Sequence, residues 1–327
     1  MTTLTLSRAL NEGLRKALED NPKALIMGED VGKLGGVFRV TDGLQKDFGE
    51  ARVMDTPLAE SGIIGTAIGL ALRGYRPICE IQFDGFVFPA FDQIVSQLAK
   101  MRYRSLGTVR LPVVVRIPFG GGIGAVEHHS ESPEALFAHT PGLRVIACGD
   151  PADAYTMIQQ AARSDDPVIF FEPKRRYWDK ADVDTDGDLA AALPMDQARV
   201  LVPGTDVTVL CYGPMVRTCA EAAVAAQADG RSIEVVDLRS LAPLDTETIF
   251  ASVRKTGRCV IVHEAVVTGG IGAEITAQIT QECFYSLEAP VLRVGAYTTP
   301  YPPSRLEDHY LPDLDRILDG VDRTFGY

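Results

Sequence analysis

An α/β protein built as two layered domains is what the sequence predicts, on three observations. Short β-rich runs alternate with helical patterns along the chain. Several of those runs are apolar at consecutive positions, as strands covered on both faces of a parallel sheet are. The 327 residues exceed what one hydrophobic core usually serves, and one acidic stretch interrupts the alternation.

Taken in order, "TLSRALNEGLRKALEDNP" places Leu10, Leu14 and Leu18 on one helical face with charges opposite. No apolar core follows a basic start, so it does not read as a signal peptide. "ALIMGED" (24–30), "RPICEIQF" (76–83), "LPVVVRIPF" (111–119), "LRVIAC" (143–148) and "DPVIFFEP" (166–173) read as strands. Helix patterns lie between them: "SGIIGTAIGLALRG", "FPAFDQIVSQLAKMRYRS" and "DPADAYTMIQQAARS". The last opens on Asp150-Pro151, an N-cap followed by proline in the first turn. "DKADVDTDGDLAAALP" (179–194) is acidic, poor in large apolar residues and closed by proline, the texture of a linker. This gives a first domain over 1–180, a linker over 181–195 and a second domain over 196–327. In the second, strands "DVTVLCYG", "IEVVDL", "CVIVHEA" and "VLRVG" alternate with helices "MVRTCAEAAVAAQADG", "DTETIFASVRKTG" and "GGIGAEITAQITQECFYSL".

Composition narrows the function. The chain is 46% hydrophobic and 23% charged, as globular proteins are, and its net charge of −12 offers nucleic acid no basic face. The longest helix-like apolar run, Ile63 to Leu72, is far short of the roughly 20 residues that span a bilayer. The six cysteines are scattered without a C-x-x-C pair and read as small buried hydrophobes in a reducing compartment. A cytoplasmic protein with small-molecule or basic protein partners, no membrane and no nucleic acid, is expected.

Several stretches carry chemistry. In "DTPLAESGIIGTAIGLALRG", Glu60 stands at the mouth of a glycine-spaced apolar segment. As a first-turn acid it would complement the helix dipole. Yet Gly62, Gly65 and Gly69 each cost about 1 kcal/mol in a helix interior, so they want a packing reason. A second backbone approaching that face would bury Glu60 and demand a partner for it. "RIPFGGGIGAVEHHSESPEALFAHTPG" (116–142) leaves a strand through glycines and reaches His128 and His129. It reads either as a surface loop or as a site in which His129 exchanges protons near neutral pH. "GGIGA" (269–273) lacks the third glycine of a dinucleotide fingerprint and suits helix–strand packing better. "FDGFVFPAFDQ" (83–93) is phenylalanine-rich, suiting a core or a stacking face for a flat ligand. Lys174, Arg175 and Arg176 suit a solvated loop, or an anchor for an acidic ligand or partner subunit.

Together these pieces resemble one family, the beta subunit of thiamine-diphosphate-dependent 2-oxo acid dehydrogenases. "GEDVG", "GGVFRVTDGL", "DTPLAESGIIGTAIGLALRG", "PICEIQF", "FPAFDQIVSQLAKMRYRS", "HHSESPEALFAHTPGL", "DPVIFFEPK", "VDLRSLAPLD" and "TTPYPPSRLE" carry the likeness nearly end to end. The resemblance implies a thiamine-diphosphate pyrimidine-binding domain followed by a transketolase C-terminal domain. It implies that Glu60 is catalytic and hydrogen-bonds a ring nitrogen of the cofactor's aminopyrimidine, that Phe86 stacks on that ring, and that His129 serves acyl transfer to a lipoyl group. It also implies a potassium ion held by carbonyls of Val113, Ala161, Ala162, Ser164 and Asp166. The chain has no G-D-G…N motif for the diphosphate and its Mg²⁺. The resemblance assigns that half of the site to an alpha subunit in an α2β2 heterotetramer, and the acyl acceptor to a lipoyl acyltransferase core. "FFEPK" and "FPAFDQIV" favour a branched-chain 2-oxo acid, with pyruvate or acetoin dehydrogenase as the alternative. A scaffold subunit without chemistry is a more remote reading, opposed by the joint presence of Glu60, Phe86 and His129.

Overall fold

Two main sheets order the chain, and the computed structural model describes residues 1–327. In chain order the first half comprises β1 (Thr2–Thr5), α1 (Leu6–Asp20), β2 (Ala24–Gly28), α2 (Leu44–Phe48), β3 (Val53–Asp55), α3 (Glu60–Leu72), β4 (Arg76–Glu80) and α4 (Ala99–Arg104). It continues with β5 (Val114–Phe119), α5 (Glu134–Ala138), β6 (Arg144–Ala147), α6 (Pro151–Arg163), β7 (Val168–Pro173) and β8 (Lys180–Val183). The second half comprises β9 (Arg199–Val202), β10 (Val207–Cys211), α7 (Met215–Ala226), β11 (Ile233–Asp237), β12 (Ser240–Ala242) and α8 (Thr246–Thr256). After these come β13 (Cys259–Val266), α9 (Ile271–Cys283), β14 (Leu292–Ala296), α10 (Glu307–Tyr310) and α11 (Leu314–Arg323).

The larger sheet runs β12-β6-β7-β5-β4-β2-β3, with all pairs parallel except β12 on β6. The smaller runs β14-β13-β10-β11-β9, with only β9 antiparallel. Burial explains the strands: every residue of β2, β5, β7, β10 and β11 is buried, as sheets clad on both faces require. Leu6, Leu10, Leu14 and Leu18 of α1 pack with Ala154, Tyr155 and Ile158 of α6 in one core cluster. The two helices meet at Gly13, where a Cβ would lie 2.4 Å from Ile158 Cγ2. A second cluster runs from Ile63 and Ile117 through Phe119 to Leu210 and Ile261, joining the two sheets through one continuous core.

Three features go beyond the sequence reading. The segment read as a single helix over 88–105 is a 3-10 helix (Asp84–Ala90), a π-helical stretch (Gln93–Leu98) and then α4. Pro89 lies inside the first piece and cannot donate to a regular α ladder. The segment 181–195 is not a free tether. Residues 180–183 form β8, paired antiparallel with β1, and the carbonyls of Leu193 and Pro194 accept from buried Arg239. Third, β12 lies beyond the acidic stretch in sequence yet closes the edge of the first sheet. No helix is long and apolar enough to cross a membrane.

Candidate active site

Parallel register fixes where polar side chains gather. Gly28, Asp55 and Glu80 are register partners at the carboxyl ends of β2, β3 and β4. Open α/β sheets place their sites at that edge. Glu29 follows β2, Glu60 opens α3 after β3, and Phe86 lies on the 3-10 helix after β4. α3 packs against that helix, which also meets the short 3-10 turn Glu127–His129 beyond β5.

Glu60 is buried at 8% exposure. No side chain of the protein pairs with its carboxylate, and Ala59 gives the helix no side-chain cap. Sequence reasoning missed its neighbour Glu29, also buried, whose Oε1 has no partner. Burial first, and then the Glu60 charge, raises the Glu29 pKa above the ordinary carboxylate range. Two carboxylates therefore share one edge with no cation of their own. Its only signal in the sequence was a charge at the end of a buried strand, in "ALIMGED".

Phe86 is half-buried and packs against the core. Its ring lies 5.1 Å from that of His129, centroid to centroid, and 5.9 Å from Phe83. The His129 ring sits 4.1 Å from Phe83, and His128 is exposed beside it at 4.3 Å. His129 Nδ1 is buried with no partner in the chain. Burial, then the charges of His128 and Lys174, hold its pKa below the ordinary histidine value of 6.5. The imidazole is neutral at pH 7 and free to accept or donate a proton.

Around this edge lie buried charges that the sequence reading assigned elsewhere. Lys174 is fully buried against Asp84, neither solvated nor reaching for a partner. Arg175 pairs with Glu264 at 3.3 Å, and Arg176 donates to the Pro214 carbonyl at 2.9 Å, so both knit the two halves of the chain together. Arg116 bonds Glu172 with two nitrogens, at 2.6 and 2.9 Å, and Glu80 with a third at 2.8 Å. "GGIGA" serves packing: a Cβ on Gly272 would meet His263 Nε2 at 2.8 Å.

The residues expected to hold potassium do gather. Ala161, Ala162, Ser164 and Asp166 span the end of α6 and the turn before β7, and the Val113 carbonyl accepts from Val168 N–H at 2.9 Å. Their neutral carbonyl oxygens suit a monovalent cation. The other four are engaged as well: Arg76 donates to Ala162 O at 2.9 Å and to Ser164 O at 2.7 Å, Ser164 N–H to Ala161 O at 3.0 Å and Ser164 Oγ–H to Asp166 O at 2.9 Å. Each carbonyl keeps a second lone pair.

What the carboxyl edge lacks is as informative as what it holds. A buried carboxylate without a donor, beside half-buried rings, fits a flat heteroaromatic base that carries its own N–H. The aminopyrimidine of thiamine diphosphate is such a base. Comparison with known proteins agrees. Residues 2–179 match the transketolase pyrimidine-binding domain, and residues 196–317 match the transketolase C-terminal domain. A relative from Leifsonia xyli subsp. xyli, named pyruvate dehydrogenase E1 component subunit beta, is 60% identical over 99% of this chain and 96% of its own length. A Mycobacterium tuberculosis relative, named 3-methyl-2-oxobutanoate dehydrogenase subunit beta, is 53% identical over 98% and 92%. A solved split-gene transketolase, an inactive beta4 tetramer, superposes with a TM-score of 0.81 at 26% identity, covering 99% of this chain and 98% of that one. The chain belongs to the family of transketolase-like beta subunits of thiamine-diphosphate-dependent 2-oxo acid dehydrogenases.

Proposed function

We propose that this chain, joined to an alpha subunit in an α2β2 heterotetramer, forms the decarboxylating component of a 2-oxo acid dehydrogenase complex and passes the acyl group to a lipoyl acyltransferase. The observation that carries the reading is Glu60, a buried carboxylate with no partner at the carboxyl edge of the sheet. When bound, thiamine diphosphate supplies the carbon nucleophile and the electron sink for loss of carbon dioxide. Glu60 shares a proton with the pyrimidine ring nitrogen, and its dry setting strengthens that hydrogen bond. Phe86 offers its ring as the stacking face. His129, neutral at pH 7, moves a proton as the acyl group leaves for the lipoyl sulfur. The diphosphate and Mg²⁺ fall to the alpha subunit, because this chain has no segment to bind them.

For the acid, the sequence favours a branched-chain substrate, as the name of the Mycobacterium tuberculosis relative does. Pyruvate is the second reading, supported by the name of the Leifsonia relative at higher identity. Lys174 of "FFEPK" is buried against Asp84, so that motif reports on packing at the His129 turn rather than on an acid-binding pocket. Potassium at the carbonyl cluster is proposed through the second lone pairs that these hydrogen bonds leave free. Potassium chloride then raises the melting temperature above that in choline chloride of equal ionic strength, since a ligand of the native state stabilises it. Equal melting temperatures would assign the cluster to those hydrogen bonds alone.

The decisive experiment is decarboxylation by this chain co-expressed with its alpha subunit, supplied with thiamine diphosphate and Mg²⁺. Activity is expected only in the pair and falls roughly 10²–10⁴-fold in Glu60→Gln, the range for loss of a positioned proton-transfer group. The faster of 3-methyl-2-oxobutanoate and pyruvate identifies the branch. Full activity of the single chain, or an unaffected Glu60→Gln, refutes the half-site reading.

A further inference from the structure

The segment that delivers His129 has no regular structure of its own, and the bonds from Gly121 N–H to Glu264 and from Gly122 and Gly124 N–H to Glu307 stop five residues short of the imidazole. Gly120, Gly122 and Gly124 all adopt positive φ, and between Phe119 and Glu127 there is no regular element. Residues 127–129 form a single 3-10 turn. Whatever fixes the imidazole must come from outside the segment. We infer that the buried Asp84–Lys174 ion pair is the positioning device for His129, pinning the backbone at the carbonyl of that residue and again two residues on, at the N–H of Glu131. This rests on the reading of His129 as the acyl-transfer histidine.

The bonds carry the argument. Lys174 Nζ donates to Asp84 Oδ1 and, at 2.5 Å, to the carbonyl oxygen of His129 itself. The other oxygen of Asp84 accepts the backbone N–H of Glu131. Both side chains are fully buried. The ammonium also lies 5.5 Å from the centre of the Phe83 ring, on which His129 packs. One ion pair thus ties the 3-10 helix 84–90, the turn at 127–131 and the end of β7. Next to Asp84, a Cβ on Gly85 would lie 2.4 Å from the His128 carbonyl oxygen, so the backbones are in close contact there as well.

A buried pair of charges is a poor source of stability, because desolvation offsets much of its attraction. A pair serving the core alone would spend its spare hydrogen bonds on core groups. Here they go to the His129 carbonyl and the Glu131 N–H, which fix the backbone that carries the imidazole. The ammonium has a second effect, since a cation this close disfavours protonation of His129. The charged groups facing that ring are Lys174, His128, Glu127 and, through the pair, Asp84, with Glu131 just beyond.

The test uses the αβ holoenzyme and Asp84→Ala/Lys174→Met, which removes both charges and leaves neither buried alone. Two rates are read: decarboxylation with a dye as electron acceptor, and acylation of a lipoyl domain. The ratio of acylation to decarboxylation is expected to fall roughly 10–100-fold, as about 1 Å of misplacement can cost. In ¹³C-labelled protein the His129 ring signal is expected to titrate closer to 6.5. A ratio within twofold of the unmodified enzyme, or both rates falling in step with an unmoved His129 titration, overturns the inference. Should that double variant not fold, Asp84→Asn/Lys174→Met keeps the shape at position 84 and again leaves no charge buried alone; the same ratio must fall and the same signal must move towards 6.5. His129→Gln is run alongside. If it acylates normally, the role given to His129 fails, while the His129 titration in the clamp variants still judges the clamp.

Discussion

Arg116 carries three charge-assisted hydrogen bonds to two carboxylates, and all three side chains are buried. Tyr177 completes the set by donating to Glu172 Oε2 at 2.7 Å. Removing the cation strands two carboxylates in the sheet, and breaking a buried pair costs about 3–5 kcal/mol. Arg116→Met is therefore expected to lower the melting temperature by several degrees or to prevent soluble expression; an unchanged melting temperature would mean water reaches the site. Arg116 also shows what a sequence conceals at this scale. Glu60, Phe86 and His129 could be picked out because each sits in a distinctive local stretch. The roles of Glu29, Asp84 and Lys174 are not legible there, because their meaning lies in their neighbours. Lys174 meets Asp84 across 90 positions, and Glu131 meets the same carboxylate across 47. Local reading gives Lys174 a solvated loop, the usual place for a lysine, and burial reverses it.

At the N-terminus of α5, Glu134 is buried and accepts a hydrogen bond from Tyr212 at 2.6 Å, linking the first sheet's loop to the second sheet. Burial outweighs that bond and pushes the Glu134 pKa up from 4.5 to about 7. A folded-state pKa above the unfolded one contributes stability that is full below pH 4.5 and lost as pH rises through 7. The loss amounts to about 3 kcal/mol at 1.36 kcal/mol per pH unit. Glu134→Gln keeps an acceptor for Tyr212 and cannot ionise, so its melting temperature is expected to vary less between pH 5 and pH 8 than that of the unmodified chain. Parallel pH curves would place the titration elsewhere. Element by element, the sequence revealed what burial writes into it. β2, β5, β7, β10 and β11 are buried throughout, and their apolar runs stand out. β1, β3, β8, β9 and β12 do not, being three or four residues long and at the edges of their sheets. The helix expected over 88–105 begins only at Phe91, after the 3-10 turn that carries Pro89, and runs to Arg104 with a π-helical stretch in its middle.

In the whole molecule, α3 has a face that no contact within the chain explains. Ile63, Ile64, Ala67, Ile68 and Ala71 turn into the core, while Ser61, Gly62, Gly65, Thr66, Gly69 and Leu72 are exposed. Nothing in the chain requires those glycines. A Cβ on Gly69 would meet no atom within 4 Å, one on Gly65 would meet only Gln93 Oε1 at 3.9 Å, and one on Gly62 only Ala59 Cβ at 3.5 Å. Each glycine weakens the helix by about 1 kcal/mol relative to alanine. In a lone chain three such weaknesses would go uncompensated; against a second backbone they permit close approach. Glu60 heads this same helix, so whatever covers the face also closes the cofactor edge. Gly65→Leu separates the two accounts by the sign of its effects. In the chain alone it is expected to leave the melting temperature unchanged or raise it, by up to about 1 kcal/mol of helix propensity. In co-expression with the alpha subunit it is expected to abolish the α2β2 species on size-exclusion chromatography, and decarboxylation with it. A variant that assembles normally would assign the glycine face to solvent and remove the reason for placing a partner beside Glu60.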